Sequence, residues 1–157
     1  MQQAEMGAFQ MGFTEAVRTV LKQKYATFSG RASRSEYWWF ILFCVLALFP
    51  LAILAFVLAY ATSGGGVPSP VSYTVVIWIL FALAILLPGI SLQVRRFHDR
   101  NISGWWYLAL FVCGYIPYVG IVTGLAILVI SVLPGTEGPN KFGPDPLRPE
   151  ARAEVFA

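Results

Sequence analysis

Charged residues are scarce in this chain of 157 residues, and they are missing from two long stretches. Asp, Glu, Lys and Arg make up 12% of the sequence, whereas a soluble domain carries about 25%. None of the four occurs from Tyr37 to Val94, or from Asn101 to Thr136. This absence excludes an ordinary soluble domain, because so long a surface without charge requires lipid around it.

The first charge-free stretch is long enough to cross a bilayer twice. A helix needs about 20 residues to cross a hydrocarbon core of roughly 30 Å, and this stretch is more than twice that long. Between residues 62 and 70, three glycines and two prolines predict a turn. We therefore predict spanning helices at about 37–61 and about 71–94.

Cysteine and histidine are also scarce. Cys44 and Cys113 lie in apolar stretches without a CxxC spacing, which excludes a disulfide framework and a metal site. The single histidine, His98, stands beside Asp99, and such a pair raises the question of a general base. Adjacent side chains on a helix point apart, however. The sequence therefore predicts no cofactor and favours a protein that is not an enzyme.

The apolar stretches contain no ionisable side chain of the acidic or basic type. Pumps and coupled transporters place such residues inside the membrane to carry protons or bind ions. Their absence argues against a proton- or ion-coupled transporter that acts as a monomer. A passive channel or transporter component built by oligomerisation is retained as an alternative hypothesis.

The basic residues indicate the orientation of the spans. Five precede the first span, none lies in the turn, and three follow the second span; they are Arg18, Lys22, Lys24, Arg31, Arg34, Arg95, Arg96 and Arg100. Short cytoplasmic loops are enriched in such residues. The N-terminus is therefore predicted to be cytoplasmic and the turn to be outside. The net charge of +3 is explained in this way and indicates no nucleic-acid partner.

A polar and amphipathic segment precedes the first span. Residues 1–8 are predicted to be disordered. Over 9–28, apolar residues recur every three or four positions with basic residues between them, which predicts a helix. This helix lies along the cytoplasmic interface or, alternatively, packs on the protein's own surface. Within the 9–36 segment, Ser33 and Glu36 have the spacing of a capping box that begins the first span.

The second apolar stretch, 105–133, allows two topologies. A single helix would be about 43 Å long, too long for the hydrocarbon core unless its ends lie in the interfaces. The only plausible break is at 114–120, where glycines flank Pro117. A kinked third span would place the C-terminus outside, whereas a hairpin would return it to the cytoplasm. We favour the hairpin, followed by an irregular Gly/Pro-rich tail at 134–157.

Together these features predict an all-α membrane protein, in which an amphipathic interfacial helix is followed by a small polytopic bundle of three or four hydrophobic helices over 37–133. Four polar clusters flank the bundle, with the sequences GRASRSEYW, RRFHD, SGWW and GPNKFGPDP. In order and wording these clusters resemble the domain of unknown function 805 family of small bacterial inner-membrane proteins. The resemblance covers about residues 20–146. It implies a bacterial cytoplasmic membrane location and supplies no activity.

The arginines of these clusters are expected to gather at one face of the membrane. Guanidinium groups bind phosphate in a bidentate manner, so anionic lipid headgroups or a membrane protein partner are the predicted ligands of this rim. The candidate rim residues are Arg31, Arg34, Glu36, Arg95, Arg96, His98, Asp99, Arg100, Trp105, Trp106, Asn140, Lys141 and Asp145.

Several alternatives to this rim remain open. The arginines would serve only to set topology if they pair with Glu36, Asp99 and Asp145, and Arg95 is predicted to pair with Asp99 four residues along the helix. A homo-oligomeric channel or transporter component is the second functional hypothesis. A membrane-embedded enzyme acting on a lipid phosphate is the third.

Overall fold

The computed structural model describes residues 10–63 and 70–148, and their regular structure is helical. In chain order the elements are α1 (Phe13–Arg18), continued by a π-helical turn (Thr19–Gln23), then α2 (Arg34–Thr62), α3 (Pro70–Asp99), α4 (Gly104–Cys113) and α5 (Val119–Val132). The predicted fold class, a small all-α membrane protein, is confirmed. Residues 1–8, which were predicted to be disordered, lie outside the described residues.

The two long helices, α2 and α3, pack against each other and are apolar enough to cross a membrane. Their outer faces carry large apolar side chains such as Phe49, which is 75% exposed, and Leu80, which is 62% exposed. On the inner face of α2, Ala55 and Ala59 are buried one turn apart. Small residues in this spacing let two helices approach closely in lipid.

The N-terminal helix is shorter than the sequence predicted. Apolar periodicity extends to residue 28, but the helical structure ends at Gln23, and Lys24 leaves the helical conformation with φ −129°. Ala16 and Val20 are fully buried, and α1 packs on α2. Beyond Gln23 the chain is no longer helical and reaches α3, where the Tyr25 hydroxyl donates to the Ala84 carbonyl at 2.9 Å. The buried face of the amphipathic segment therefore packs on α2.

The first span begins at a serine cap, as the sequence predicted. The Ser33 hydroxyl accepts a hydrogen bond from the Glu36 amide at 3.1 Å. The reciprocal half of the capping box is wrong, because the Glu36 carboxylate accepts from Arg95 at 2.6 Å instead of turning back to Ser33. A buried guanidinium is a stronger partner for a carboxylate than a backbone amide.

The second apolar stretch forms a hairpin. The chain leaves helical structure between Cys113 and Val119, and α4 and α5 pack against each other. The two helices meet so closely that a Cβ at Gly120 would lie 2.5 Å from the Gly114 carbonyl oxygen. At its far end, α5 returns to α3, where Gln93 donates to the Ser131 hydroxyl at 2.8 Å. The tail after α5 therefore starts beside the C-terminal end of α3.

Candidate functional site: a polar cap and its groove

Four parts of the chain meet at one end of the bundle and form what we call the polar cap. They are the segment 24–33, the first turn of α2, the last two turns of α3 and the tail 134–148. Charged side chains are buried here as nowhere else in the described residues, and they are Arg31, Glu36, Arg95, Arg96, Asp99 and Asp145. Because buried charges are costly unless they are paired, the pairing determines what the cap can do.

Two acidic residues pair with the three buried arginines, so these five side chains together keep one positive charge. Arg95 pairs with Glu36, with Nη1 and Oε1 2.6 Å apart. Asp99 pairs with Arg31 at 2.8 Å and with Arg96, three residues earlier on α3. The predicted Arg95–Asp99 pair is therefore wrong. The first turn of α2 places Glu36 against Arg95, which leaves Asp99 to its other neighbours.

The remaining donors of Arg96 and Arg31 bind carbonyl groups at the end of α5 and in the tail, whereas Nε and Nη2 of Arg95 have no hydrogen-bond partner among the described residues. Arg96 donates through Nε to the Ser131 carbonyl at 3.1 Å and through Nη2 to the Leu133 carbonyl. Arg31 donates to the Thr136 and Gly138 carbonyls, the latter at 2.6 Å. The two Arg96 bonds satisfy carbonyls at the end of α5, which have no helical partner.

Arg100 takes part in the same arrangement, since it donates to the Pro134 carbonyl. Arg95 and Arg96 are both 0% exposed. Their predicted position on an open rim is therefore wrong, because both side chains are buried and paired with acidic side chains. Arg31, which is 5% exposed, is engaged in the same way.

The tail is fixed to the end of α3 by hydrogen bonds and by one aromatic stack. Thr136 donates its amide to the Asp99 carbonyl at 2.8 Å, and Asn140 donates to the His98 carbonyl at 2.9 Å. The Phe142 ring lies parallel to the His98 imidazole, with centroids 3.8 Å apart. His98 Nδ1 lies 3.1 Å from the Gly30 carbonyl oxygen. His98 therefore acts as a packing residue between the tail and the 24–33 segment.

Asp145 has backbone partners and no arginine partner among the described residues. Its carboxylate accepts from the Gly138 amide at 3.1 Å and from the Leu147 amide at 2.9 Å. The alternative in which Asp145 pairs with an arginine is therefore wrong. The carboxylate closes a compact turn of the tail, and Asn140 and Gly143 exchange backbone hydrogen bonds inside that turn.

One face of the cap opens into a groove of about 820 Å³ between the start of α2 and the tail. Arg34 is exposed in it, in contrast to the buried arginines. The residues that line the groove, grouped by part of the chain, are Gln10; Arg31, Ser33, Arg34, Ser35, Trp38, Trp39 and Leu42; Asp99; and Val132, Pro134, Gly135, Thr136, Glu137, Asp145 and Leu147.

The groove contains residues that the sequence analysis did not select. Trp38, Trp39, Leu42 and Glu137 line it. The signal for the two tryptophans was their position one turn after Arg34, on the same helix. In contrast, the predicted rim residues Trp105, Trp106 and Lys141 do not line it. Trp105 and Trp106 are exposed at the start of α4, and Lys141 lies over the Phe142 ring at 5.0 Å.

Metal binding finds no structural support in the part of the chain that the structure describes. There, no group of three His, Cys, Asp or Glu side chains lies close enough together to hold an ion.

Comparison with known proteins agrees with the order of the polar clusters around the cap. A family model described as "Protein of unknown function (DUF805)" matches residues 25–144. The chain belongs to this family. Two relatives from Escherichia coli K12 are inner membrane protein YhaH, 39% identical over 81% of this chain and 92% of its own length, and inner membrane protein YhaI, 36% identical over 82% and 92%. No solved structure matches the chain significantly.

The matched region of this DUF805 protein begins at Tyr25 and ends at Pro144, so it contains nearly all of the polar cap and both long helices. The chain is thus a lipid-embedded helical protein of a family without a known activity.

Proposed function

We propose that this protein is a non-enzymatic bacterial inner-membrane protein whose groove binds a phospholipid headgroup at the cytoplasmic surface. The names of the E. coli relatives support a location in the inner membrane. The positions of the basic residues support a cytoplasmic N-terminus, and the contacts of the tail with Arg31 and Asp99 support a tail on the same side. The single observation that carries the proposal is the combination of residues lining the groove.

The start of α2 supplies a binding site for the lipid phosphate. Arg34 extends from the first turn of the helix and is exposed. The backbone amides of Arg34 and Ser35 have no acceptor within the described residues, as the first amides of a helix lack an intrahelical partner. The amides and the helix dipole favour phosphate at this end, and the guanidinium adds charge-assisted hydrogen bonds.

The next turns of α2 supply contacts for the glycerol and the upper acyl chains. Trp38 and Trp39 are 40% and 38% exposed, and indole rings prefer the headgroup level of a bilayer. Leu42 lies one turn deeper and Val132 faces it from α5. The groove therefore changes from polar to apolar in the direction in which a phospholipid does.

The tail side of the groove is acidic and selects among headgroups. Glu137 and Asp145 line this side, and Asp99 is already neutralised by two arginines. A purely anionic headgroup would meet the Glu137 carboxylate, whereas an ammonium group beside the phosphate would be attracted to it. In place of the anionic headgroup that the sequence predicted, we therefore propose a zwitterionic headgroup that carries an amine beside its phosphate, such as phosphoethanolamine.

The state of His98 and Asp99 supports a non-enzymatic protein. A general base needs a free nitrogen or oxygen within hydrogen-bond reach of its substrate. His98 is stacked on Phe142 and bonded to Gly30, and Asp99 is held by Arg31 and Arg96. Both residues are used in holding the tail to the bundle.

Native mass spectrometry of protein extracted from vesicles with equal amounts of phosphatidylethanolamine and phosphatidylglycerol tests the proposal. We expect retained phosphatidylethanolamine on the wild type. Arg34→Gln should reduce retention of both lipids about tenfold, because the principal phosphate ligand is lost. Glu137→Gln should remove the preference for the amine and leave phosphate binding intact.

Arg18→Gln is the matched control, since it removes the same charge from an exposed position on α1 outside the groove. It should leave lipid retention unchanged. Equal losses in the Arg34 and Arg18 variants would mean that binding reflects net charge alone, and unchanged retention in the Arg34 variant would contradict the groove as the site.

A further inference from the structure

The hairpin of α4 and α5 enters the membrane from the cap and is shorter than the hydrocarbon core. Both arms have one end at the cap, since Gly104 packs on Val94 of α3 and Ser131 accepts from Gln93 at 2.8 Å. The arms have 10 and 14 residues, about 15 Å and about 21 Å. Because the core is roughly 30 Å thick, the turn between them ends about 9 Å short of the opposite headgroups.

The backbone of this turn, residues 114–118, which we call the tip, needs little from outside the chain. Ile116 donates its amide to the Cys113 carbonyl at 3.0 Å, and its own carbonyl accepts from the Gly120 amide at 3.1 Å. Pro117 has no amide proton. The tip can therefore stand in lipid as far as its backbone is concerned, and its side chains determine the depth at which it lies.

Two tyrosines of the tip carry polar groups away from the protein. Tyr115 is 78% exposed and Tyr118 is 89% exposed. A phenol both donates and accepts a hydrogen bond, and a hydroxyl group in hydrocarbon without a partner is costly. Tyrosine is enriched at both membrane–water interfaces, where its ring lies at the level of the headgroups. The two side chains therefore favour a tip that meets headgroups over a tip enclosed in hydrocarbon.

The other end of the hairpin carries matching aromatic residues. Trp105 and Trp106 are 77% and 63% exposed at the start of α4, which lies at the cap. Between these tryptophans and the tip, α4 exposes apolar side chains such as Phe111 and Val112. An apolar segment with an aromatic belt at each end has the pattern of a complete crossing. The longer arm, however, covers only about two-thirds of the hydrocarbon core.

We propose that the hairpin thins the bilayer on its side of the protein, so that phospholipid headgroups of the leaflet opposite the cap descend to the tip and bond to Tyr115 and Tyr118. A segment shorter than the hydrocarbon core is accommodated by local thinning, at a modest cost for each ångström. Leaving two phenols unbonded in hydrocarbon is the costlier alternative. This inference is independent of the lipid groove, which lies on the cap.

Thiol labelling at Ile116 tests the depth of the tip while both tyrosines stay in place. Ile116→Cys, Ser63→Cys and Phe49→Cys would each be made in a chain without native cysteines. An impermeant maleimide is applied to the membrane face from which Ser63→Cys reacts, because Ser63 caps the end of α2 that is remote from the cap. Ile116 is 53% exposed. Phe49 is the matched control, since it is 75% exposed on α2 and lies about 18 Å along that helix from Tyr37, a depth similar to that of the tip.

We expect Ile116→Cys to react at least about tenfold faster than Phe49→Cys, because headgroups and water come down to the tip and not to the middle of α2. Adding Tyr115→Phe and Tyr118→Phe should slow the reaction of Ile116→Cys about tenfold, since the rings remain and only the hydroxyl groups are lost. Equal rates for Ile116→Cys and Phe49→Cys would overturn the proposal. An unchanged or faster rate in the triple variant would overturn it as well.

Acyl-chain length separates thinning from a water-filled cavity inside the protein. In vesicles of lipids with longer acyl chains the opposite headgroups lie further from the tip, so Ile116→Cys should react more slowly while the rate of Ser63→Cys stays the same. An Ile116→Cys rate that does not depend on chain length would contradict thinning, because the water at the tip would then be held by the protein itself.

Discussion

At the residue scale, Arg34 and Arg95 carry the same charge in opposite surroundings. Arg95 is fully buried and pairs with Glu36, whereas Arg34 is exposed in the groove. We predict that Glu36→Gln lowers the free energy of unfolding by about 3–5 kcal/mol, because it leaves a buried guanidinium without its counter-ion. Thermal unfolding in detergent micelles measures this loss.

Arg34→Gln is the control for the buried pair, and its effect on stability should stay within about 0.5 kcal/mol, as is usual at the surface. Equal destabilisation by the two substitutions would mean that the Arg95–Glu36 pair contributes no more than an exposed charge.

Gly135 allows the tail to lie directly on Asp99. A Cβ at this position would be 2.1 Å from an Asp99 carboxylate oxygen, so the tail would have to move. We expect Gly135→Ala to cost about 1–3 kcal/mol and to speed proteolysis of the tail after Leu133. Gly89→Ala is the comparison, because nothing lies within 4 Å of its added Cβ. Equal proteolysis of the two variants would contradict the close contact.

Sequence reasoning found the charged residues of the cap, and its alternative in which the arginines pair with Glu36 and Asp99 is correct for these two acids. It did not find which arginine pairs with which acid. It grouped Arg95 with Asp99 by helical spacing, a rule that describes pairs on an isolated helix surface. In the folded protein, α2 brings Glu36 to Arg95, and this contact depends on how two helices pack. Arg34 was one of the candidate rim residues, and nothing in the sequence separates it from the arginines that the structure buries.

At the scale of elements, α2 and α3 are held together by small residues on one side and face lipid on the other. Ala59 is 2% exposed on the inner face, whereas Ala61, two residues further on and therefore on the opposite face of α2, is exposed. Ala59→Leu should push the helices apart and cost about 1–3 kcal/mol, measured as a lower unfolding temperature in detergent. Ala61→Leu should change that temperature little. If both variants unfolded at the same temperature, the assigned inner face would be wrong.

The helices themselves were largely predictable. The predicted spans at 37–61 and 71–94 fall inside α2 and α3, and both helices extend beyond the charge-free stretches. They extend because their polar ends remain helical outside the membrane and build the cap. The end of the π-helical turn at Gln23 was not predictable, since apolar periodicity continues beyond it while Tyr25 turns towards α3.

At the scale of the whole molecule, the cap joins parts of the chain that are far apart in sequence. Arg31 is bonded to the Thr136 and Gly138 carbonyls, and no local pattern in the sequence predicts such contacts. The sequence supported a hairpin and a kinked span almost equally. The bonds from Arg31 to the tail carbonyls are possible only in the hairpin, because a kinked span would carry the tail to the opposite end of the bundle.

The side of the membrane on which each end lies is the most direct test of the account. Cysteine would be placed at Ser29, Ser63 or Lys141 in a chain without native cysteines and treated with an impermeant maleimide. We predict that Ser63→Cys reacts in intact spheroplasts, whereas Ser29→Cys and Lys141→Cys react only after permeabilisation. Reaction of Lys141→Cys in intact spheroplasts would place the tail outside and contradict the polar cap.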